Sequence, residues 1–309
     1  MYQEHFGLRE TPFGITPNPA CFYAGNTRGE ILAALLYAVC HGEGIVKVTG
    51  EVGTGKTMLC RMLESQLPPH IEVIYLVNPN LDPVAVQYAI AAELGLATRG
   101  YRVDEVQRAL HAHLIGRHGQ GRHVVLLVEE AQAMPLDTLE AIRLLTNLET
   151  ASSKLLQIVL FGQPELDQHL ALPRMRQLKE RITHSFDVPA MAPELVAEFL
   201  AFRLAAAGHD GTAVFSAQAV RLIADASEGI VRRINILADK ALLAAFADDA
   251  VVVSAQHARL AIAESPFHRN RPLPRWWQRF ATRPVAIACL MCLLFAAICW
   301  TVLAAPSKL

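Results

Sequence analysis

The sequence has almost no excess of charge of either sign: 28 Lys and Arg stand against 29 Asp and Glu. A chain this close to neutral carries no overall electrostatic footprint for duplex DNA, so an anion site has to be built locally. Charge is also sparse, at 18% of residues against 52% apolar, which excludes a disordered chain. Cysteine is scattered. Cys21, Cys40 and Cys60 stand singly in apolar or helical contexts, which suits reduced, buried thiols. Cys289, Cys292 and Cys299 fall in an uncharged apolar run, where the CxxC spacing of the first two lacks the polar support of a metal or redox site. The 12 histidines show no ligand spacing, and His111 and His113, two apart on an expected helix, share no face, so no metal site of that kind is indicated. The opening residues MYQEHFGLRETPF carry charges and no long apolar stretch, which excludes a secretory signal. Internal repeats are missing.

What is present is a chain of 309 residues, long enough for a main domain and a satellite. A Pro-punctuated segment, TPFGITPNPACF, reads as extended loop, followed by a helical stretch with Ile31, Leu35 and Val39 at four-residue steps. Apolar, β-branched runs at 45–49, 71–77, 124–128, 155–161 and 182–188 then alternate with helical patterns at 56–67, 83–94, 104–117 and 136–148. Continuous apolar strands separated by helices predict a parallel sheet covered on both faces. Beyond Pro189 the pattern turns helical. Pro193 is placed to start a helix that Gly208 ends, Ser216 and Ser254 can cap two more, and Gly229 precedes another. Residues 191–264 therefore read as a small all-helical domain.

The chemistry lies in Gly50-Glu51-Val52-Gly53-Thr54-Gly55-Lys56-Thr57, which fits GxxxxGK[ST] between an expected strand and an expected helix. Its glycines let backbone N–H groups converge on phosphate oxygens at the helix N-terminus. Lys56 is placed to reach the β- and γ-phosphates and Thr57 to bind Mg²⁺. A second buried strand, VVLLV, ends in Glu129-Glu130. Glu129 is the candidate for the Mg²⁺ water shell and Glu130 for orienting or deprotonating the attacking water. A third strand ends at Gly162-Gln163, and Gln163 is the candidate to touch the γ-phosphate or that water.

The C-terminal part differs. VAIACLMCLLFAAICWTVLAA holds no charge and is long enough to span ~30 Å of hydrocarbon. Arg269, Arg271, Arg275, Arg279 and Arg283, with Trp276 and Trp277, precede it, which places the N-terminal side in the cytoplasm. The expectation is a basic linker at 265–283 and a transmembrane helix at 284–305.

At these residues the sequence resembles an AAA+ ATPase of the ExeA-like general secretion pathway type, close to the ATPases of mannose-sensitive haemagglutinin pilus biogenesis. The resemblance covers residues 1–264 and rests on HFGLRETPF with TPNPACFY, GEVGTGKT, EEAQ, Ile142-Arg143-Leu144-Leu145-Thr146-Asn147-Leu148-Glu149-Thr150, LLQIVLFGQPEL and GIVRRIN. It implies an α/β P-loop NTPase (AAA+) core at 1–190, with 1–43 on the adenine side, and a helical lid at 191–264. It also implies that Gln163 resembles the sensor-1 residue and Arg232 the sensor-2 arginine. Arg181 is similar in position to an arginine finger acting on a neighbouring subunit, with Arg176 as the alternative. ATP and Mg²⁺ follow as cofactors. A ring-like homo-oligomer at the bacterial inner membrane follows as the assembly, its ATPase part cytoplasmic and its partners the membrane proteins of secretion or pilus assembly, with no nucleic acid. The implied function is ATP hydrolysis supporting a secretion or type IV pilus-like envelope machine. The alternatives are a slow-hydrolysing, nucleotide-dependent scaffold and a transposition-type DNA helper. Two departures stand out. The acid pair is Glu129-Glu130 where the family usually has Asp-Glu. The sequence also stops soon after its expected span, where relatives often continue into a periplasmic region, so action from the cytoplasmic side or through a partner is expected.

Overall fold

The apolar runs pair side by side because the central ones are too hydrophobic to leave either face in water. In the computed structural model, which describes residues 2–42, 44–76, 78–150 and 153–266, they form β1 (Ile45–Thr49), β2 (Ile71–Leu76), β3 (His123–Val128), β4 (Leu156–Gly162) and β5 (Ile182–Asp187). All neighbouring pairs are parallel, in the order β2-β3-β4-β1-β5. β1 and β4 are buried along their whole length, whereas β5, at the edge, alternates half-buried with exposed residues. That alternation is the period of a strand with one face in solvent.

Helices cover both faces. α1 (Arg28–Cys40) and α2 (Lys56–Gln66) bring Leu35, Leu59 and Leu63 against Val46, Val48, Leu127 and Phe161. On the other face, α3 (Ala85–Glu93), α4 (Val103–Gly119) and α5 (Leu136–Leu145) bring Ile90, Leu110 and Ile142 against Ile45, Ile74, Leu126 and Ile158. Two short helices that the periodicity does not reveal, α6 (Glu165–Leu170) and α7 (Arg176–Lys179), lie between β4 and β5. α6 supplies Asp167, which pairs with Lys47, a nearly buried cation in the middle of β1 that would otherwise be uncompensated.

After β5 come a 3-10 turn at Pro193–Leu195 and α8 (Val196–Ala206), α9 (Ala217–Ser227), α10 (Val231–Ala247) and α11 (Ala255–Ala263). Pro193 thus opens a 3-10 turn ahead of α8 rather than the helix proper. The Ser216 hydroxyl accepts from Ala219 N at 3.3 Å and that of Ser254 from Gln256 N at 3.2 Å, so both caps form as expected.

Two expectations need correction or stand aside. Only Cys60 of the first three cysteines is buried. Cys40 is exposed because it falls on the outer side of the last turn of α1, and Cys21 is half-buried in the N-terminal 3-10 turn. Residues 267–309, with most of the expected basic linker and all of the expected span at 284–305, lie outside the described residues. Among the described residues no helix is long and apolar enough to cross a membrane.

Candidate functional site

Because the sheet is parallel, the C-terminal ends of β1, β3 and β4 open on one edge, and their loops share one crevice. β4, which delivers Gln163, lies between the strand leading to Gly50–Thr57 and the strand leading to Glu129-Glu130.

The first loop wraps on itself. Gly53 has φ 84°, and a Cβ built there would stand 2.8 Å from the Cβ of Arg232, so both conformation and space demand glycine. The Thr54 hydroxyl donates to Glu51 O at 2.9 Å, and Lys56 Nζ donates to Gly50 O at 2.8 Å and Glu51 O at 2.9 Å. Burial depresses the Lys56 pKa, opposed by the carboxylates of Glu130, Glu51 and Glu129 nearby. The ammonium is thus parked on carbonyl oxygens of its own loop, poised beside the space an anion would fill. Thr57, on the first turn of α2, lines the same cleft.

Glu130 adopts φ 51°, a left-handed conformation unusual outside glycine, and turns its carboxylate toward that loop. Its Oε2 accepts from Gln132 Nε2 at 2.6 Å and from Gln163 Nε2 at 3.0 Å. Gln132 Oε1 in turn accepts from the backbone N of Gln163 at 2.9 Å, closing a small network. Burial alone would raise the Glu130 pKa. The hydrogen bonds from Gln132 and Gln163 and the charges of Lys56 and Arg232 outweigh it, and the net shift is downward. Glu129 is half-buried, with Oε1 buried and without a hydrogen-bond partner. Its charge joins burial in raising the pKa of Tyr75 and of Cys60.

The helical segment closes the cleft. At the start of α10 the backbone N of Arg232 donates to Gly53 O at 3.0 Å, joining helix and loop directly. Gly229, at φ 72°, accepts from Met191 N at 2.8 Å; a Cβ there would lie 2.2 Å from Met191 O, so the close approach requires glycine. The N-terminal segment forms the remaining wall, held by Arg203, whose guanidinium donates to Pro12 O at 2.7 Å and Gly14 O at 3.3 Å. Together they enclose a cleft of about 260 Å³.

Residues 52–57, Glu130, Gln163 and Arg232 therefore meet in one place. Arg181 does not join them. It donates to Thr146 Oγ1 and lines a separate hollow with Gly44, Ile45 and Lys154, at the start of β1 and so at the opposite edge of the sheet. Arg176 is exposed and paired with Glu180 Oε1 at 2.8 Å. Sequence reading missed Gln132, Arg28, Arg203 and Asn235. Gln132 stands inside the EEAQ stretch, but nothing in its type or spacing announces that it bridges two other site residues. Among the described residues no group of three or more His, Cys, Asp or Glu is gathered to hold a metal ion. A hydroxyl and one carboxylate suit instead an Mg²⁺ that arrives with a polyphosphate and keeps its waters.

Residues 40–170 match the family described as an AAA domain. General secretion pathway protein A of Aeromonas hydrophila is 43% identical over 251 residues, covering 80% of this chain and 45% of that protein. The chain thus spans under half the length of that relative. Among solved structures, the Aeropyrum pernix ORC2 protein in ADPNP-ADP complexes superposes with a TM-score of 0.60 at 17% identity, over 81% of this chain and 72% of that one. Drosophila ORC bound to DNA gives a TM-score of 0.59 at 21% identity, over 85% and 65%. At those identities the likeness is one of fold: a five-stranded parallel AAA-type P-loop sheet.

Proposed function

Starting from a chain that carries an AAA domain and resembles the ExeA-like general secretion pathway ATPases, we propose that it binds ATP with Mg²⁺ and hydrolyses it. The observation that carries this reading is the convergence of Lys56, Glu130, Gln163 and Arg232 on one cleft, with Glu130 held ionised.

In this reading the phosphates take the place of the carbonyl oxygens that now hold Lys56 Nζ, and backbone N–H groups of 53–57 donate to them. Thr57 and Glu129 would hold Mg²⁺, the latter through water, and the buried Oε1 of Glu129, without a hydrogen-bond partner, supports that role. The metal, when bound, offsets the charge of the β- and γ-phosphates. Glu130 takes the proton as a water oxygen bonds to the γ-phosphorus and the bond to the β-phosphate oxygen breaks, while Gln163 orients that water. Arg232 balances the charge developing on the transferred group. The helical segment 191–264 acts as a lid over the core 1–190, and in a ring-like homo-oligomer Arg181 serves a neighbour's nucleotide. The client is a secretion or pilus-like machine of the bacterial inner membrane, reached from the cytoplasmic side, with 284–305 as the anchor. DNA is left out because the chain is neutral overall and its kinship to DNA-bound ORC is of fold.

Phosphate release by purified protein tests the reading. Wild type hydrolyses ATP and Glu130→Gln binds it without turnover. Equal, very low rates in both would favour a second reading, a slow nucleotide switch, for which the longer carboxylate at Glu129 speaks. Absence of any nucleotide affinity would remove both.

A further inference from the structure

Arg28, the first residue of α1, is only 5% exposed. Of the other deeply buried cations, Lys47 pairs with Asp167 and Arg143 with Glu140, while Lys56 and Arg203 are held by backbone carbonyl oxygens. Among the described residues no carboxylate forms an ion pair with Arg28. Its Nη2 donates to Thr54 O at 3.0 Å and Pro189 O at 3.3 Å, while Nη1 is buried with no partner. Burial brings its pKa down to about 10. A Cβ on Gly55 would stand 3.9 Å from Nε, so the guanidinium lies against the phosphate loop, and the residue lines the cleft.

The chain just before it is also constrained. Asn26 and Thr27 have φ 54° and 65°, left-handed conformations that non-glycine residues adopt at a cost. Asn26 commits its amide to the chain leaving β5: Nδ2 donates to Ala190 O at 3.1 Å and Oδ1 accepts from Ala192 N at 3.4 Å. A buried cation with an unused donor and no counter-charge is unfavourable unless something supplies an anion.

We propose that Arg28 binds the diphosphate portion of the nucleotide, the part common to ATP and ADP, and through Thr54 and Pro189 ties its presence to segment 189–192, which leads into α8. This rests on the nucleotide reading above. It differs from the role given to Arg232, which concerns the γ-phosphate and would discriminate ATP from ADP. Arg28 would instead support both equally and pass occupancy to the chain that carries the helical segment.

The test titrates the full chain, as wild type, Arg28→Lys and Arg28→Met, with fluorescent ADP, fluorescent ATP and adenosine, and follows amide exchange at residues 190–192. The expected result is a rise in Kd of about tenfold or more for both ADP and ATP in Arg28→Met. Arg28→Lys falls between, and adenosine affinity stays unchanged. ADP protects 190–192 in wild type and no longer does so in Arg28→Met. Should Arg28→Met fail to fold, Arg28→Lys carries the test through the ADP-to-adenosine contrast. Unchanged ADP affinity in folded variants overturns the proposal, as does an equal loss for adenosine, which marks a purely structural role. If wild type itself binds neither ADP nor ATP, the nucleotide reading falls, and this inference with it.

Discussion

The two edges of the sheet are built to opposite plans. At the C-terminal edge, three loops turn inward: Glu130, Gln132 and Gln163 satisfy one another, and Lys56 rests on the carbonyls of its own loop beside them. At the N-terminal edge, Arg181 donates to the Thr146 hydroxyl, joins Lys154 in lowering the pKa of Glu149 and lines a hollow beside Gly44 and Lys154. One edge gathers its polar side chains around a cleft, whereas the other sets Arg181 apart from that cleft. The difference teaches that residues singled out together from the sequence can lie at opposite edges of one sheet.

Four measurements would break or sharpen that contrast. The largest effect belongs to the closed edge. Glu130→Gln lowers turnover about 10³-fold while nucleotide affinity stays within a few-fold, measured by phosphate release beside equilibrium binding. Unaltered turnover would show that the hydrolytic edge has been misplaced.

Next comes the open edge. Arg181→Ala lowers turnover about 10²-fold in the assembled protein and leaves binding intact. Mixing it with Glu130→Gln subunits then restores part of the activity, because some interfaces pair an intact Glu130 with a neighbour's Arg181. No recovery on mixing would confine Arg181 to its own subunit. A smaller effect follows from Thr146→Val, which removes the acceptor for Arg181. Stability falls by about 1 kcal/mol, seen as a lower denaturant midpoint, and turnover falls only several-fold.

The smallest effect is a flat one. Glu130 lies below its ordinary value, so its carboxylate persists as the solution is acidified. Whatever stability its ionisation lends is present above the unfolded value of ~4.3 and disappears only as pH falls through the lowered folded value. The turnover profile should therefore show no carboxylate limb between pH 7 and pH 5. A base limb near pH 6 would mean that burial, not the two glutamine amides, governs this group.

The strands and the phosphate loop were legible because their signals are local. Apolar, β-branched runs bounded by turns read as strands, and the glycine spacing of 50–55 encodes its own backbone curl. The network around Glu130 was only half legible. Gln163 follows from its place at a strand end, whereas Gln132 matters because two loops distant in sequence meet there. Arg28 was invisible for a different reason: one arginine opening a helix looks like any solvated charge until the packing of 189–192 buries it. α6 and α7 escaped because six and four residues are too few to display a helical period. Lys47, an apparent blemish in an apolar strand, makes sense only once Asp167 stands beside it.

The N-terminal segment lies across the helical bundle like a strap. Tyr2 bonds Asp239 on α10, Arg9 N donates to Ala207 O at 2.8 Å, and Pro12 O is gripped by Arg203 on α8. The same strand of chain then runs past the cleft into α1. Any swing of the bundle therefore tugs on a tether fastened at both ends, and the exposed Gly14 lies along its length between the two.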